Sequence, residues 1–263
     1  MKVVLFCGGL GTRLREYSDT IPKPMVNIGY RPIIWHVMKY YAHYGVRDFV
    51  LCLGYRGDVI KEYFLKYDEC LSNDFTLSKG GKEVKLINSD IQDWNITFVE
   101  TGASSSIGER LMQAKRHVEN EEVFLANYAD GLTDARFDLM LEHFRKNGKI
   151  ASFLLVQPSQ SFHVVEMADE LLIKDMHHIS QSGLWINGGY FMFKKEIFDY
   201  IKPGEDLVAE PFQRLIDKKQ LAGYTHKGFW ACMDTFKDKQ MFDTMYSRGE
   251  MPWAYWNNFR VTK

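Results

Sequence analysis

Buried strands and amphipathic helices alternate along the first 156 residues, and this alternation constrains the fold more than any other feature. The apolar run Lys2–Cys7 ends at two glycines, a pattern typical of a buried strand that enters a tight loop. Pro32–Tyr44 then carries apolar residues at helical spacing, and Phe49–Leu53 and Val59–Tyr67 repeat the order of strand and helix. This order favours an α/β fold in which helices wind around a mostly parallel sheet.

Strands and helices continue to alternate along the rest of the chain, with one interruption. Asp68–Asp93 is polar and contains two short apolar runs around a pair of glycines, so we predict an inserted hairpin with strands near Phe75–Leu77 and Val84–Ile87. Further strands are predicted at Ile96–Glu100, Val123–Tyr128, Ile150–Val156 and Trp185–Phe193, and further helices near 108–118, 137–145, 196–201, 211–217 and 237–246. No linker is visible, and we treat 1–263 as one domain whose strand-rich part begins near residue 157.

Composition excludes several classes of partner. Lys and Arg number 33 against 34 Asp and Glu, so the chain has no net field that would collect nucleic acid or an anionic membrane. The four cysteines and eight histidines show no zinc-site spacing. No apolar stretch is long enough to cross a bilayer, and the start leaves no room for a secretory signal, so we expect a cytoplasmic protein.

The loop after the first strand has the composition of an anion site. Gly8–Leu14 carries three glycines in four positions, and glycine lets several backbone N–H groups turn toward one anion. Arg13 adds a guanidinium that can hold phosphate with two hydrogen bonds. The segment is neither a Walker P-loop nor a dinucleotide fingerprint, and a plain strand-to-helix turn is the alternative interpretation.

A lysine between two prolines follows this loop. Pro22 and Pro24 each fix their own φ, so Lys23 is expected on a stiff, extended segment that loses little entropy when it meets a ligand. Most loop lysines are simply solvated. The position of Lys23 so close to the glycine-rich turn favours a phosphate-binding role instead.

These motifs together resemble the sugar-phosphate nucleotidyltransferases, and in particular their cytidylyltransferase branch. The resemblance covers essentially the whole chain in order. It is carried by GGLGTRL at 8–14, PKPM at 22–25, GYRG at 54–57, IKEYF at 60–64, YADG at 128–131, INGG at 186–189, GFW at 228–230 and MDT at 233–235. It implies a Rossmann-like nucleotide-diphospho-sugar transferase fold, with a nucleotide-binding part near 1–156 and an acceptor-binding part near 157–263.

The resemblance also implies a reaction. CMP would pass from CTP to a sugar 1-phosphate, with glucose 1-phosphate as the expected acceptor, and pyrophosphate would leave. Asp130 follows a predicted buried strand, and together with Asp234 it would hold Mg²⁺, which prefers one or two carboxylates plus phosphate oxygens. The residues implied for the triphosphate are Gly8, Gly9, Gly11, Thr12, Arg13 and Lys23, and Arg13, Lys23 and Asp130 are the implied catalytic set.

Two further groups of residues are implied for the base and the acceptor. Gly108 and Arg110 would face cytosine, whose acceptors suit guanidinium donors; an exposed helix residue is the alternative for Arg110. On the acceptor side Asn187 matches the family. This chain departs from the family at three acceptor-side positions, where it has His163 in place of a glycine and His177-His178 in place of Glu-Lys. These changes predict a reshaped pocket or a different phosphorylated acceptor.

Three other expectations follow. A catalytically inactive nucleotide sensor should lack Lys23 or one of the two aspartates, and a glycosyltransferase should have a DxD motif where this chain has YADG. Both alternatives therefore rank below the nucleotidyltransferase.

The inserted hairpin and the aromatic tail at Trp253, Tyr255 and Trp256 predict a homo-oligomer, although a tail that packs into the core explains the same residues.

Overall fold

The computed structural model describes residues 1–9, 21–159 and 162–260 of the 263-residue chain. The strands are β1 Lys2–Phe6, β2 Asn27–Ile28, β3 Arg31–Pro32, β4 Asp48–Leu53, β5 Phe75–Ser78, β6 Glu83–Leu86, β7 Asn95–Glu100, β8 Val123–Tyr128, β9 Gly131–Thr133, β10 Ala151–Val156, β11 His163–Met167, β12 Ile173–His178, β13 Ile186–Asn187, β14 Phe191–Lys194, β15 Leu221–His226 and β16 Trp230–Cys232. The α-helices are α1 Ile33–His43, α2 Gly57–Leu65, α3 Ile107–Val118, α4 Phe137–Asn147, α5 Glu210–Asp217 and α6 Phe236–Ser247.

One mixed sheet runs through the molecule. Strand β1 lies between β4 and β8 and is parallel to both, and β7 continues the parallel part beyond β4. On the other side β14 pairs antiparallel with β8, β10 pairs antiparallel with β13 and β14, and β15 adds a parallel edge beside β10. The predicted wound, mostly parallel α/β fold is therefore confirmed, and strands from both sides of residue 157 join the same sheet.

Alternate residues of β1 supply two apolar cores on opposite faces of the sheet. Val3 and Leu5 belong to the core that contains helix α1, whereas Val4 and Phe6 belong to the core that contains Leu111 of helix α3. All four side chains of β1 named here are buried. Because successive side chains of a strand point to opposite faces, one short apolar run can hold helices on both sides of the sheet.

Two predicted elements differ from the structure. The segment Lys195–Tyr200 is a 3-10 helix and lacks the α-helical form expected at 196–201. The expected single strand at Trp185–Phe193 is split into β13 and β14, because Gly189 has a φ of +76° and breaks the extended backbone. Strand β15 was not predicted, since its sequence LAGYTH has no continuous apolar run.

The inserted hairpin is present as predicted, as the antiparallel pair β5 and β6. Its base is tied to the main body by two buried charged residues. Arg31 donates to Ser72 Oγ at 2.6 Å and to the Asp68 carbonyl at 2.7 Å, and its guanidinium lies 4.1 Å from the centre of the Tyr67 ring. Asp90 accepts from Lys39 and from Tyr67, at 2.9 and 3.1 Å. These contacts fix where the insertion leaves and rejoins the chain.

The aromatic tail packs back onto helix α1. Trp253 is fully buried, and its indole N–H donates to His36 Nδ1 at 3.3 Å. Burial lowers the pKa of His36 to about 4, so at neutral pH the imidazole is uncharged and can accept this bond. The core-packing explanation is therefore the right one for Trp253. Within the three described ranges, no helix combines the length and apolarity that crossing a membrane would require.

Candidate active site

Lys23 is held on a rigid turn. Pro22 is extended, and residues Lys23–Met25 form a 3-10 turn in which the Met25 N–H donates to the Pro22 carbonyl at 2.8 Å. Pro24 and Met25 are buried. The expected stiffness is present, but the expected extended form is wrong, because the turn reverses the chain directly after Pro22. The backbone of Lys23 is thus fixed, and only its four-carbon side chain can move.

Two aspartates are brought together by a pair of short strands. Asp130 lies two residues after β8 and immediately before β9, and Asp234 lies two residues after β16. Strands β9 and β16 pair antiparallel with Gly131 opposite Cys232, and the Met233 N–H donates to the Asp130 carbonyl at 2.9 Å. This pairing joins positions about a hundred residues apart in sequence and sets the spacing of the two carboxylates.

The ammonium group of Lys23 lies between these carboxylates. Its Nζ is 2.5 Å from Asp130 Oδ2 and also contacts Asp234 Oδ1. Burial alone would lower the pKa of Lys23, but the charge of Asp130 and hydrogen bonds to both aspartates outweigh burial and raise the pKa above its ordinary value. Lys23 is therefore positively charged at neutral pH, and the two acids form a site that already holds one cation.

Cys232 borders the same pair of acids. Its thiol donates to Asp234 Oδ2 at 3.4 Å. Burial and the nearby charge of Asp234 raise the pKa of Cys232 to about 12, so the thiol remains protonated and a poor nucleophile. This neighbour was missed from the sequence, where Cys232 was one of four scattered cysteines. Its position two residues before Asp234 is the signal that could have found it.

A cavity of about 520 Å³ opens over this cluster. It is lined by Phe6, Cys7, Gly8, Gly9, Lys23, Pro24, Ala103, Ser104, Ser105, Ser106, Ile107, Arg110, Tyr128, Ala129, Asp130, Asp206 and Asp234. Six residues predicted for the nucleotide and metal sites, namely Gly8, Gly9, Lys23, Arg110, Asp130 and Asp234, thus share one cavity. Gly11, Thr12 and Arg13 lie outside the described residues. Tyr128 and Asp206 were not predicted as lining residues.

Arg110 lies beneath the glycine-rich loop. Its guanidinium donates to the carbonyls of Leu53, Gly8 and Ala103, at 3.3, 3.1 and 3.2 Å, and to Thr101 Oγ1 at 2.7 Å. The side chain is buried, so the alternative of an exposed helix residue is wrong. In this arrangement all four of these bonds stay within the protein, and contact with a base remains a prediction.

Glycines make room for this guanidinium and for a neighbouring loop. A Cβ on Gly8 would lie 1.9 Å from Arg110 Nη1, and one on Gly54 would lie 2.9 Å from the same atom. Gly108 serves a different contact, because its Cβ would lie 2.4 Å from the carbonyl oxygen of Glu205. The close approach of the 205–207 segment therefore explains Gly108, and its assignment to the nucleotide stays a prediction.

The predicted acceptor residues are distributed over two places. His163 lies opposite His178 in the antiparallel pair β11 and β12, with their rings perpendicular and 5.6 Å apart. His177 is paired with Val164, so it points to the other face of the hairpin. The expectation that all three histidines form one sub-site is therefore wrong for His177. In the part of the chain that the structure describes, none of the three lines the cavity over Lys23.

Asn187 contacts a residue that lines the cavity, Tyr128. Its Oδ1 accepts from the Gly189 N–H at 2.9 Å. Burial raises the pKa of the cavity-lining Tyr128 to about 12, and a hydrogen bond with Asn187 partly offsets this rise. The Tyr128 phenol lines the cavity and the Asn187 amide is hydrogen-bonded to it, and both are groups suited to a polar substrate.

The family follows from comparison with known proteins. A family model described as Nucleotidyl transferase matches residues 2–256. The chain belongs to this family. Nucleotidyl transferases transfer a nucleotidyl group, and the chain is an enzyme of this type.

Full-length relatives and solved structures agree with this assignment. The chain is 35% identical over 257 residues to the glucose-1-phosphate cytidylyltransferase of Salmonella typhimurium, covering 97% of this chain and 100% of that protein. It is 37% identical over 258 residues, with the same coverage, to a Bacillus subtilis protein named "Probable glucose-1-phosphate cytidylyltransferase". A structure of UDP-glucose pyrophosphorylase with UDP-glucose superposes with a TM-score of 0.69 at 18% identity, covering 94% of this chain and 98% of that one, and shows the shared fold.

Proposed function

We propose that this protein transfers CMP from CTP to a phosphorylated small molecule, with glucose 1-phosphate as the first candidate, and releases pyrophosphate. The observation that carries the proposal is the cation-holding cluster of Lys23, Asp130 and Asp234 in a cavity bordered by Gly8 and Gly9. The near-full-length identity to cytidylyltransferases supports the choice of CTP and of a sugar 1-phosphate.

The donor set of the cluster fits Mg²⁺. Asp130 and Asp234 present carboxylate oxygens to one point, and that point already accommodates the positive charge of Lys23. Magnesium takes one or two carboxylates and completes its shell with water and phosphate oxygens. When bound there, Mg²⁺ would neutralise charge on the triphosphate. We assign Asp130 and Asp234 as its protein ligands.

The residues of this chain would act mainly by position and charge. A phosphate oxygen of the acceptor attacks the α-phosphorus of CTP, the α–β anhydride bond breaks, and pyrophosphate leaves. The attacking oxygen is already anionic, so no general base is needed. Lys23 offsets negative charge at the α-phosphate. Gly9 has open space at its α-carbon, so a phosphate can approach the backbone closely.

A second acceptor class is favoured by one observation on the hairpin. His178 stands where the family has a lysine, and its Nδ1 accepts a hydrogen bond from the Ser180 N–H at 3.2 Å. The short imidazole has this nitrogen engaged within its own turn, so it offers an acceptor phosphate a different partner from the mobile ammonium group of a lysine. We therefore keep a different phosphorylated small molecule as the alternative to glucose 1-phosphate.

A pyrophosphate-release screen tests the proposal. Purified protein with Mg²⁺ would be assayed with each of the four common NTPs against glucose 1-phosphate, other sugar 1-phosphates and other small phosphates. We expect CTP to be the best nucleotide and at least one phosphorylated acceptor to give sustained release. Release that depends on the acceptor but prefers another nucleotide would contradict the choice of CTP. No release with any pair, from protein shown to be folded, would contradict the transferase itself.

Two wider properties belong to the same proposal. We propose that the chain associates with copies of itself, supported by exposed apolar side chains on and beside the inserted hairpin: Leu71, Phe75, Leu77, Val84 and Ile87. We also place the reaction in the cytoplasm, where the four free cysteines would remain reduced.

A further inference from the structure

We propose that Lys23 occupies the place of the divalent ion in the free protein, and that the ion can bind both aspartates only after a nucleotide has drawn the ammonium group away. The observation is the position of Lys23 Nζ, 2.5 Å from Asp130 Oδ2 and in contact with Asp234 Oδ1. The inference rests on the proposed function in one respect, because it takes these two carboxylates as the metal ligands.

The two cations cannot share the site. The backbone bond from the Met233 N–H to the Asp130 carbonyl holds the two acids at a fixed spacing, so the carboxylates cannot easily spread to admit a second positive charge. Magnesium needs oxygen ligands at about 2.0–2.1 Å in near-octahedral order, which leaves no room for an ammonium group between the same oxygens. A monovalent and a divalent cation in direct contact also repel each other strongly. Binding of free metal must therefore compete with Lys23.

The fixed backbone of Lys23 limits how its ammonium group can move away from the two aspartates. Its backbone is fixed by the turn that Pro22 begins and by the buried residues Pro24 and Met25, so displacement is confined to rotation of the side chain. A triphosphate in the cavity offers the ammonium group a new anionic partner within reach of that rotation. The side chains of Asp130 and Asp234 are 23% and 28% exposed, so an ion can reach them once Lys23 has turned.

The expected consequence is that metal and nucleotide enter together. Without a nucleotide, Lys23 keeps the carboxylates neutralised and free metal binds weakly. With a nucleotide, the same lysine moves to the phosphates and the acids become available to the ion. One lysine would thus keep two like charges together in the empty site and later stabilise the substrate.

Binding of Mn²⁺ in the absence of any nucleotide tests this competition. Mn²⁺ takes the same oxygen ligands as Mg²⁺ and can be followed by the paramagnetic resonance signal of the free ion. We expect Lys23→Met to bind Mn²⁺ at least tenfold more tightly than the native protein, and the double variant Lys23→Met with Asp130→Asn to lose that gain. Lys61→Met is the matched control, because Lys61 pairs with Glu100 on the surface. The Mn²⁺ affinity of this variant should equal that of the native protein.

Two outcomes would overturn the inference. In the first, folded Lys23→Met protein binds Mn²⁺ no more tightly than the native protein does. In the second, the native protein already binds Mn²⁺ tightly without nucleotide. Circular dichroism and thermal unfolding establish that each variant is folded, and Lys23→Gln replaces Lys23→Met if the latter is not. Because no substrate is present, the result is independent of the pyrophosphate screen, so failure of one can be told from failure of the other.

Discussion

Replacing Asp130 by asparagine is expected to lower turnover by about three orders of magnitude, the upper end of what removal of one charge-stabilising group costs. The amide keeps the size of the side chain but loses the negative charge that would hold the metal opposite Lys23. The same result is expected for Asp234→Asn, since both acids contact the same ammonium group. The measurement is the rate of pyrophosphate release at saturating nucleotide and acceptor.

Asp206 provides the matched control for this loss. It lines the same cavity, and its Oδ1 accepts from the Val208 N–H at 3.1 Å within its own loop. Asp206→Asn should lower turnover far less than Asp130→Asn, by roughly tenfold at most, because its carboxylate is engaged outside the cluster. Asp130→Asn with turnover within tenfold of the native rate would contradict the assigned metal site.

The second large effect is expected on stability. Arg110→Met should lower the free energy of unfolding by about 3 kcal/mol, because a buried acceptor left without its donor costs about 1–3 kcal/mol and four acceptors are affected. The methionine fills part of the space but leaves the acceptors at Gly8, Leu53, Ala103 and Thr101 without their donor. Urea or guanidinium denaturation at neutral pH measures this loss.

Two further variants test whether the loss of stability comes from the hydrogen bonds of the Arg110 guanidinium. Arg110→Lys has fewer donors and no planar fork, so it should fall between the methionine variant and the native protein. Arg116→Met changes an exposed arginine on the same helix and should alter stability by less than about 0.5 kcal/mol. If Arg110→Met lies within about 1 kcal/mol of the native protein, which is the loss typical of a single substitution, the four acceptors have other partners and Arg110 does not hold these segments together.

The sequence predicted those features that depend on local patterns. Strand β8 was placed at Val123–Tyr128 as observed, because a short apolar run with charged and polar ends is a local signal. Lys23 was singled out because its two flanking prolines are visible in sequence. Asp130 was singled out because it follows a strand of a wound sheet, where ligands bind at the carboxyl ends of the strands.

Other features depend on contacts between distant segments and could not be predicted. The meeting of Asp130 with Asp234 requires the pairing of β9 with β16, and neither strand was recognised because each has only three residues. The inward position of Arg110 depends on space left by Gly8 and Gly54, which lie far from it in sequence. His177 and His178 were both assigned to the acceptor because they stand where the family has Glu-Lys, although neighbours in a strand face opposite sides.

The most direct test of the central claim is an anomalous difference map from a crystal of this protein grown with Mn²⁺ and a non-hydrolysable CTP analogue. The account predicts a manganese peak coordinated by Asp130 and Asp234, with the Lys23 ammonium group moved from these acids to a phosphate oxygen. A peak elsewhere in the cavity, or an ammonium group still held between both carboxylates beside the bound nucleotide, would contradict it.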